Sequence, residues 1–184
     1  MKKVSRRDFL KVTGVSGGAL LLGMDGGIAM PNTTSRVALV KTDNRKNGVK
    51  TSLKGLHINP VKGKDVLIKP NFNTADIPPG STHNDTLVAL VEEIWEMGAK
   101  SISLGERSYP PTREVMEKKG ILPILDKLNV KVLDFDNLED KDWVLFKPKK
   151  SHWPSGFRIA RPILDTECLI STGCLKTHQY GGVF

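Results

Sequence analysis

The chain has 184 residues, with 28 Lys and Arg against 20 Asp and Glu, for a formal net charge of +8. Its lysines are scattered, and the short run Lys147-Pro148-Lys149-Lys150 is no basic stripe, so no nucleic-acid partner is expected. Two cysteines fall short of the four thiolates that usually hold an iron–sulfur cluster, and no apolar run reaches the about 20 residues of a comfortable bilayer span.

The first element is an address. Ser5-Arg6-Arg7-Asp8-Phe9-Leu10-Lys11 precedes a short, glycine-bearing apolar run over residues 12–22. Adjacent Arg6 and Arg7 followed by Phe9 and Leu10 read as a twin-arginine export signal. Gly27 and Ala29 fit the small-residue positions of a cleavage site, and retention as an uncleaved anchor is the alternative. Such a signal implies the twin-arginine translocase as partner, transport of an already folded chain, and a periplasmic or other extracytoplasmic destination. Membrane contact is expected only through the signal segment. The domain plan is thus a signal over residues 1–29, a polar linker over 30–35 and an α/β domain over 36–184, long enough for a real core.

Residues 36–41 are an apolar run of strand length, and residues 45–56 are helix-compatible despite Gly48 and Gly55. Residues 65–69 predict a buried strand stopped by Pro70. A polar loop follows to Asn84. Leu87, Leu90, Val91, Ile94 and Trp95 then share one helical face, with Thr82 or Asn84 as cap and Gly98 as stop. Residues 101–105 predict a strand, and Pro111 and Thr112 open a helix that Gly120 ends. A short helix over 121–128 and strands over 130–133, 157–160 and 167–171 complete the pattern, with no clear element between 136 and 154. Alternation of this kind predicts an open, mostly parallel sheet with helices on both faces.

In such a sheet, ligands bind at the carboxyl ends of the strands. That rule gathers Lys69 and Asn71, Glu106 and Arg107, Asp134 and Asp136, and Lys176, Thr177 and His178 on one rim, with His83 at a helix start facing it. Lysines suit a small anionic ligand such as phosphate or carboxylate; His178 and His83 suit a divalent metal. Cys168 and Cys174 pair only if the chain folds back at Gly173, and small buried thiols are the simpler reading.

Three stretches then become familiar. Val66-Leu67-Ile68-Lys69-Pro70-Asn71, the Gly98-Ala99-Lys100 turn into Ile102-Ser103-Leu104-Gly105-Glu106, and Leu175-Lys176-Thr177-His178 resemble, in this order, the domain of unknown function 362 (DUF362) family. The chain is similar to its exported, signal-bearing members. Some relatives join this domain to a ferredoxin-like segment, so the resemblance implies an iron–sulfur-associated setting, although no such motif is visible here. Members usually continue past the Lys-Thr-His stretch. The end at Gly181-Gly182-Val183-Phe184 therefore reads as a truncated frame, with the sheet incomplete at its C-terminal end.

These readings combine into an exported α/β domain that binds an anionic ligand, or a metal- or iron–sulfur-associated cofactor, at its strand ends. Lys69, Asn71, Lys176 and Thr177 would hold the ligand. Glu106 and His178 would transfer protons, and His178 and His83 would ligate a metal. The alternatives are a non-catalytic accessory protein for a redox partner and a truncated remnant.

Overall fold

The computed structural model describes residues 35–149, 152–178 and 182–183. The signal with Arg6, Arg7, Phe9 and Leu10, its cleavage site, and most of the linker lie outside the described residues.

Four strands form one parallel sheet: β1 (Asp65–Pro70), β2 (Ser101–Glu106), β3 (Lys131–Asp134) and, numbered in chain order, β6 (Cys168–Thr172). Their spatial order is β3-β2-β1-β6. Val66, Leu67 and Ile68 are all buried, because a central parallel strand is covered on both faces. Register sets Ile68 beside Leu104 on one side and Ile170 on the other.

One face is roofed by α1 (Arg45–Leu56), α2 (Asn84–Glu96), α3 (Thr112–Lys118) and α4 (Leu122–Lys127). Leu87, Leu90, Val91 and Ile94 of α2 bury the predicted stripe against Val66, Ile68, Ile102 and Leu104. The cap of α2 is neither Thr82 nor Asn84. His83 Nδ1 accepts the Asp85 N–H at 3.1 Å, because the Thr82 hydroxyl is engaged at the sheet. Trp95 is half-buried, and its indole N–H donates to the Leu128 carbonyl at 2.9 Å.

The opposite face carries Leu67, Phe135 and Ala160, with Ile163 from α5 (Arg161–Asp165) packed against them. Helices thus lie on both faces. Gly105 is a steric necessity here, since a Cβ at that position would sit 2.4 Å from the Phe135 ring.

Two expectations change. Residues 36–41 form no strand, and Val37 and Leu39 are 88% and 96% exposed. Among the described residues they pair with no strand, and an apolar run without a ladder partner is not a strand. Conversely, residues 143–146 do form β4 (Trp143–Phe146), which pairs antiparallel with β5 (Phe157–Ala160). Their Phe146 and Phe157 rings stack with centroids 5.9 Å apart. This hairpin is a separate ribbon and does not extend the parallel sheet. A last short pair, β7 (Thr177–His178) and β8 (Gly182–Val183), is also antiparallel. No described helix is long and apolar enough to cross a membrane.

Substituting Gly105→Ala will destabilise the fold by ~2 kcal/mol through overpacking against Phe135. Chemical denaturation checks this, and adding Phe135→Leu to the same chain will recover part of the loss.

Candidate functional site

The strand order sets where a ligand can enter. From β1 the chain steps to β2 and β3 on one side, and β6 then fills the other side of β1. The order therefore reverses between β1 and β6, and connections leaving these two carboxyl ends diverge. In open α/β sheets that divergence makes the binding crevice.

Thr82 ties the two strand ends together. Its hydroxyl donates to the Thr172 carbonyl at 2.7 Å and accepts the Asn71 N–H at 2.9 Å, while its own N–H donates to the Asn71 carbonyl at 2.8 Å. The side chain is buried. An extended chain leaving β1 would orphan these groups, and Thr82 satisfies them from within the returning loop.

Two cations meet beside it. Lys176 Nζ donates to the Gly80 carbonyl at 2.6 Å, and Lys119 Nζ donates to Ser81 Oγ at 2.8 Å. Lys119 also sits 5.0 Å over the centre of the buried Phe72 ring. Neither ammonium has a carboxylate within ion-pair distance among the described residues. Burial holds the Lys119 ammonium below the usual lysine range, and nearby Cys174 and Asp76 offset part of that. Asp76 lies below the usual carboxylate range, chiefly through a hydrogen bond from Thr74, with Asn73 and the charges of Lys176 and Lys118 adding. Asn84 Oδ1 and Ser108 Oγ, at the starts of α2 and of the loop after β2, are buried atoms without a hydrogen-bond partner.

Between β1 and β2 the rim is closed by Glu106, whose side chain is 2% exposed. Its carboxylate is paired with Lys69 Nζ. It also accepts the Phe72 N–H at 3.1 Å and the Arg107 N–H at 2.8 Å. Lys69 Nζ further donates to the Pro70 carbonyl at 2.8 Å. Both partners are thus engaged with each other and with the backbone, which makes the pair a clasp across the strand ends. Arg107 itself turns to Asp136, 3.4 Å away, and stacks 5.3 Å over the Trp143 ring.

Asp136 has a second task. Pro111 offers α3 no side-chain cap, and Asp136 Oδ2 accepts the Thr112 N–H at 2.8 Å from across the rim. Burial raises its pKa, but the Thr112 hydrogen bonds and the Arg107 charge outweigh that and leave it below the usual carboxylate range.

The structure brings Lys69 and Glu106 into contact and sets Asn71 and Lys176 at the β1–β6 crevice. Thr177 is exposed on β7. The His178 backbone pairs in β7, while its side chain lies outside what the structure describes. His83 spends Nδ1 on the α2 cap, leaving Nε2 for other use. Among the described residues no group of three or more His, Cys, Asp or Glu is placed to hold a metal. Cys168 and Cys174 are both free and half-buried. Sequence reasoning missed Lys119, Ser81 and Thr82. Lys119 ends a short helix, and only packing of that helix against the 72–82 loop brings its ammonium to the rim.

An open parallel α/β domain with a cationic crevice at its strand-order reversal is the class that this geometry defines. The chain belongs to the family described as Domain of unknown function (DUF362), which matches residues 66–183. Residues 3–23 match the twin-arginine translocation pathway signal sequence. The protein is therefore handled by the twin-arginine translocase and exported to the periplasm or another extracytoplasmic space. A similar curated protein is a thylakoid-associated protein of Synechocystis sp., 25% identical over 118 residues. That match covers 63% of this chain and 35% of the relative, so the chain spans about a third of the relative's length. No solved structure matches significantly.

Glu106→Ala will cost ~3 kcal/mol, because the substitution orphans two backbone N–H groups and the partly buried Lys69 ammonium. Glu106→Gln will cost less, since its amide oxygen still accepts; urea titration of both variants checks the order. Asp136→Asn will lower stability by ~1 kcal/mol at neutral pH. A depressed folded pKa stabilises above the unfolded carboxylate value of about 3.9 and loses that contribution as pH falls through the lower folded value. The difference between Asp136→Asn and the native chain will accordingly shrink as melts are repeated below about pH 4.

Proposed function

We propose that this exported domain binds a small anionic ligand, of the phosphate or carboxylate class, at the carboxyl ends of β1 and β6. The observation that carries this reading is the convergence of Lys119 and Lys176 on the adjacent residues Gly80 and Ser81. Two ammonium groups held on neutral acceptors keep positive charge available at the place where α/β sheets receive ligands. Asn71 and Thr177 would orient the anion, while the Ser81 hydroxyl, which donates to the Asp76 carbonyl, serves as the acceptor that holds Lys119. Lys69 serves mainly to neutralise Glu106 and to fix the rim on which the lysines stand. Glu106 and His178 would be the proton-passing groups of such a site, and a reaction built on them would be acid–base chemistry on the bound anion.

Inorganic phosphate is the probe. Titration calorimetry will show saturable binding to the full chain, and Lys176→Gln and Lys119→Gln will each weaken it by roughly tenfold or more, the loss of one charge-assisted hydrogen bond. Arg113→Gln, which removes a charge of α3 paired with Glu117, will leave binding unchanged. Equal phosphate affinity in all four proteins would remove the lysine pair from the site.

A further inference from the structure

The handedness of the chain leaves a vacancy in the sheet. Crossovers between parallel strands are right-handed, so connections on the same face step the same way across a sheet. The helices α2, α3 and α4 lie on one face and carry the chain from β1 to β2 to β3. The helix α1 lies on that face too, with Val49 and Leu53 packed into the same core. A strand preceding α1 must therefore lie on the far side of β1 from β2, and beyond β6. Residues 37–41 are the segment that this rule sends there.

They do not reach a ladder. Among the described residues β6 pairs only with β1, and its outer edge is open. Between that edge and the segment lies a cavity of about 550 Å³, lined by Val40 on one side, Ile170, Ser171 and Thr172 on the other, and Val49 and Leu53 of α1. The edge is also unguarded. Natural sheets blunt exposed edges with charges, prolines or bulges, and Cys168-Leu169-Ile170-Ser171-Thr172 has no charge and no proline. Leu169 is 46% exposed, and Val37 and Leu39 are almost fully so.

We propose that the outer edge of β6 is an interaction surface for a β-strand donated in trans, and that the donor is residues 37–41 of a second copy of this chain. The copy is favoured because each chain carries both halves of the contact: an acceptor edge five residues long, and a segment of the same length with no ladder of its own, on which Val37 and Leu39 are exposed while Ala38 and Val40 are half-buried. Reciprocal donation closes as a two-fold pair in which each donor segment and each β6 edge is used once. Main-chain hydrogen bonds supply the attraction, and alternate side chains enter the cavity under α1.

Sedimentation of the full chain with hydrogen exchange on the same samples tests this. A reversible dimer is expected, in which the outward-facing β6 amides, those not donated to β1, exchange at least tenfold more slowly than in dilute monomer. Leu39→Pro, at a position 96% exposed, removes a ladder donor without touching the core, and it will return the chain to monomer with β1 exchange unaltered. Val37→Lys with Leu39→Lys will do the same. A chain that stays monomeric at all concentrations overturns the proposal. So does a dimer whose outward-facing β6 amides remain fast, or one that persists in Leu39→Pro. Slow exchange of those outward-facing amides in the monomer points to another occupant and overturns it equally.

Discussion

Parallel strands that stop together at a rim leave their last amides and carbonyls beyond the ladder, where each unpaired buried group costs about as much as a lost hydrogen bond. Two side chains meet that demand here. Glu106 gathers two backbone N–H groups and the Lys69 ammonium between β1 and β2, and Thr82 links Asn71 to Thr172 between β1 and β6. Every feature of the candidate site hangs from these two clasps. The 72–82 loop keeps its course because its ends are held, and Lys119 and Lys176 can settle on Gly80 and Ser81 only because that loop keeps its course.

The clasps also separate two roles that similar residues could have shared. Lys69 and Lys176 are both lysines at or just beyond strand ends, yet Lys69 neutralises a buried carboxylate while Lys176 rests on a carbonyl. A charge consumed in a buried pair is unavailable to a ligand, whereas one held on a neutral acceptor can be redirected at small cost. The same division applies to the acids. Glu106 and Asp136 are fixed by backbone donors, so they define shape before they define chemistry.

Much of the architecture was legible from local pattern. Val66 to Ile68 read as a buried strand because a parallel strand covered on both faces is apolar throughout, and Leu87 to Ile94 read as a helix because one face repeats at helical spacing. Residues 37–41 misled for the same reason. Their composition is that of a strand, but a strand is a relation between two segments, and among the described residues this one pairs with no ladder. Residues 143–146 show the converse: an unremarkable stretch becomes β4 because β5 lies opposite it. At the site, Lys69, Glu106 and Lys176 could be placed by the rule that ligands meet strand ends. Lys119 could not, since nothing local says where the end of α3 comes to rest.

By itself the sequence determined the export address, the family and the succession of strands and helices, because Arg6-Arg7 with its apolar follower, the three family motifs and the hydrophobic periods are all properties of neighbouring residues. Tertiary structure alone decided which side of β1 receives β6, that Glu106 and Lys69 neutralise one another, that Lys119 joins Lys176, and that among the described residues β6 pairs on one side alone. Those outcomes depend on packing between segments up to about a hundred residues apart, as when Thr82 meets Thr172 at a separation of 90. No local preference encodes such a meeting, and it follows only when handedness, burial and the satisfaction of polar groups act on the whole chain together.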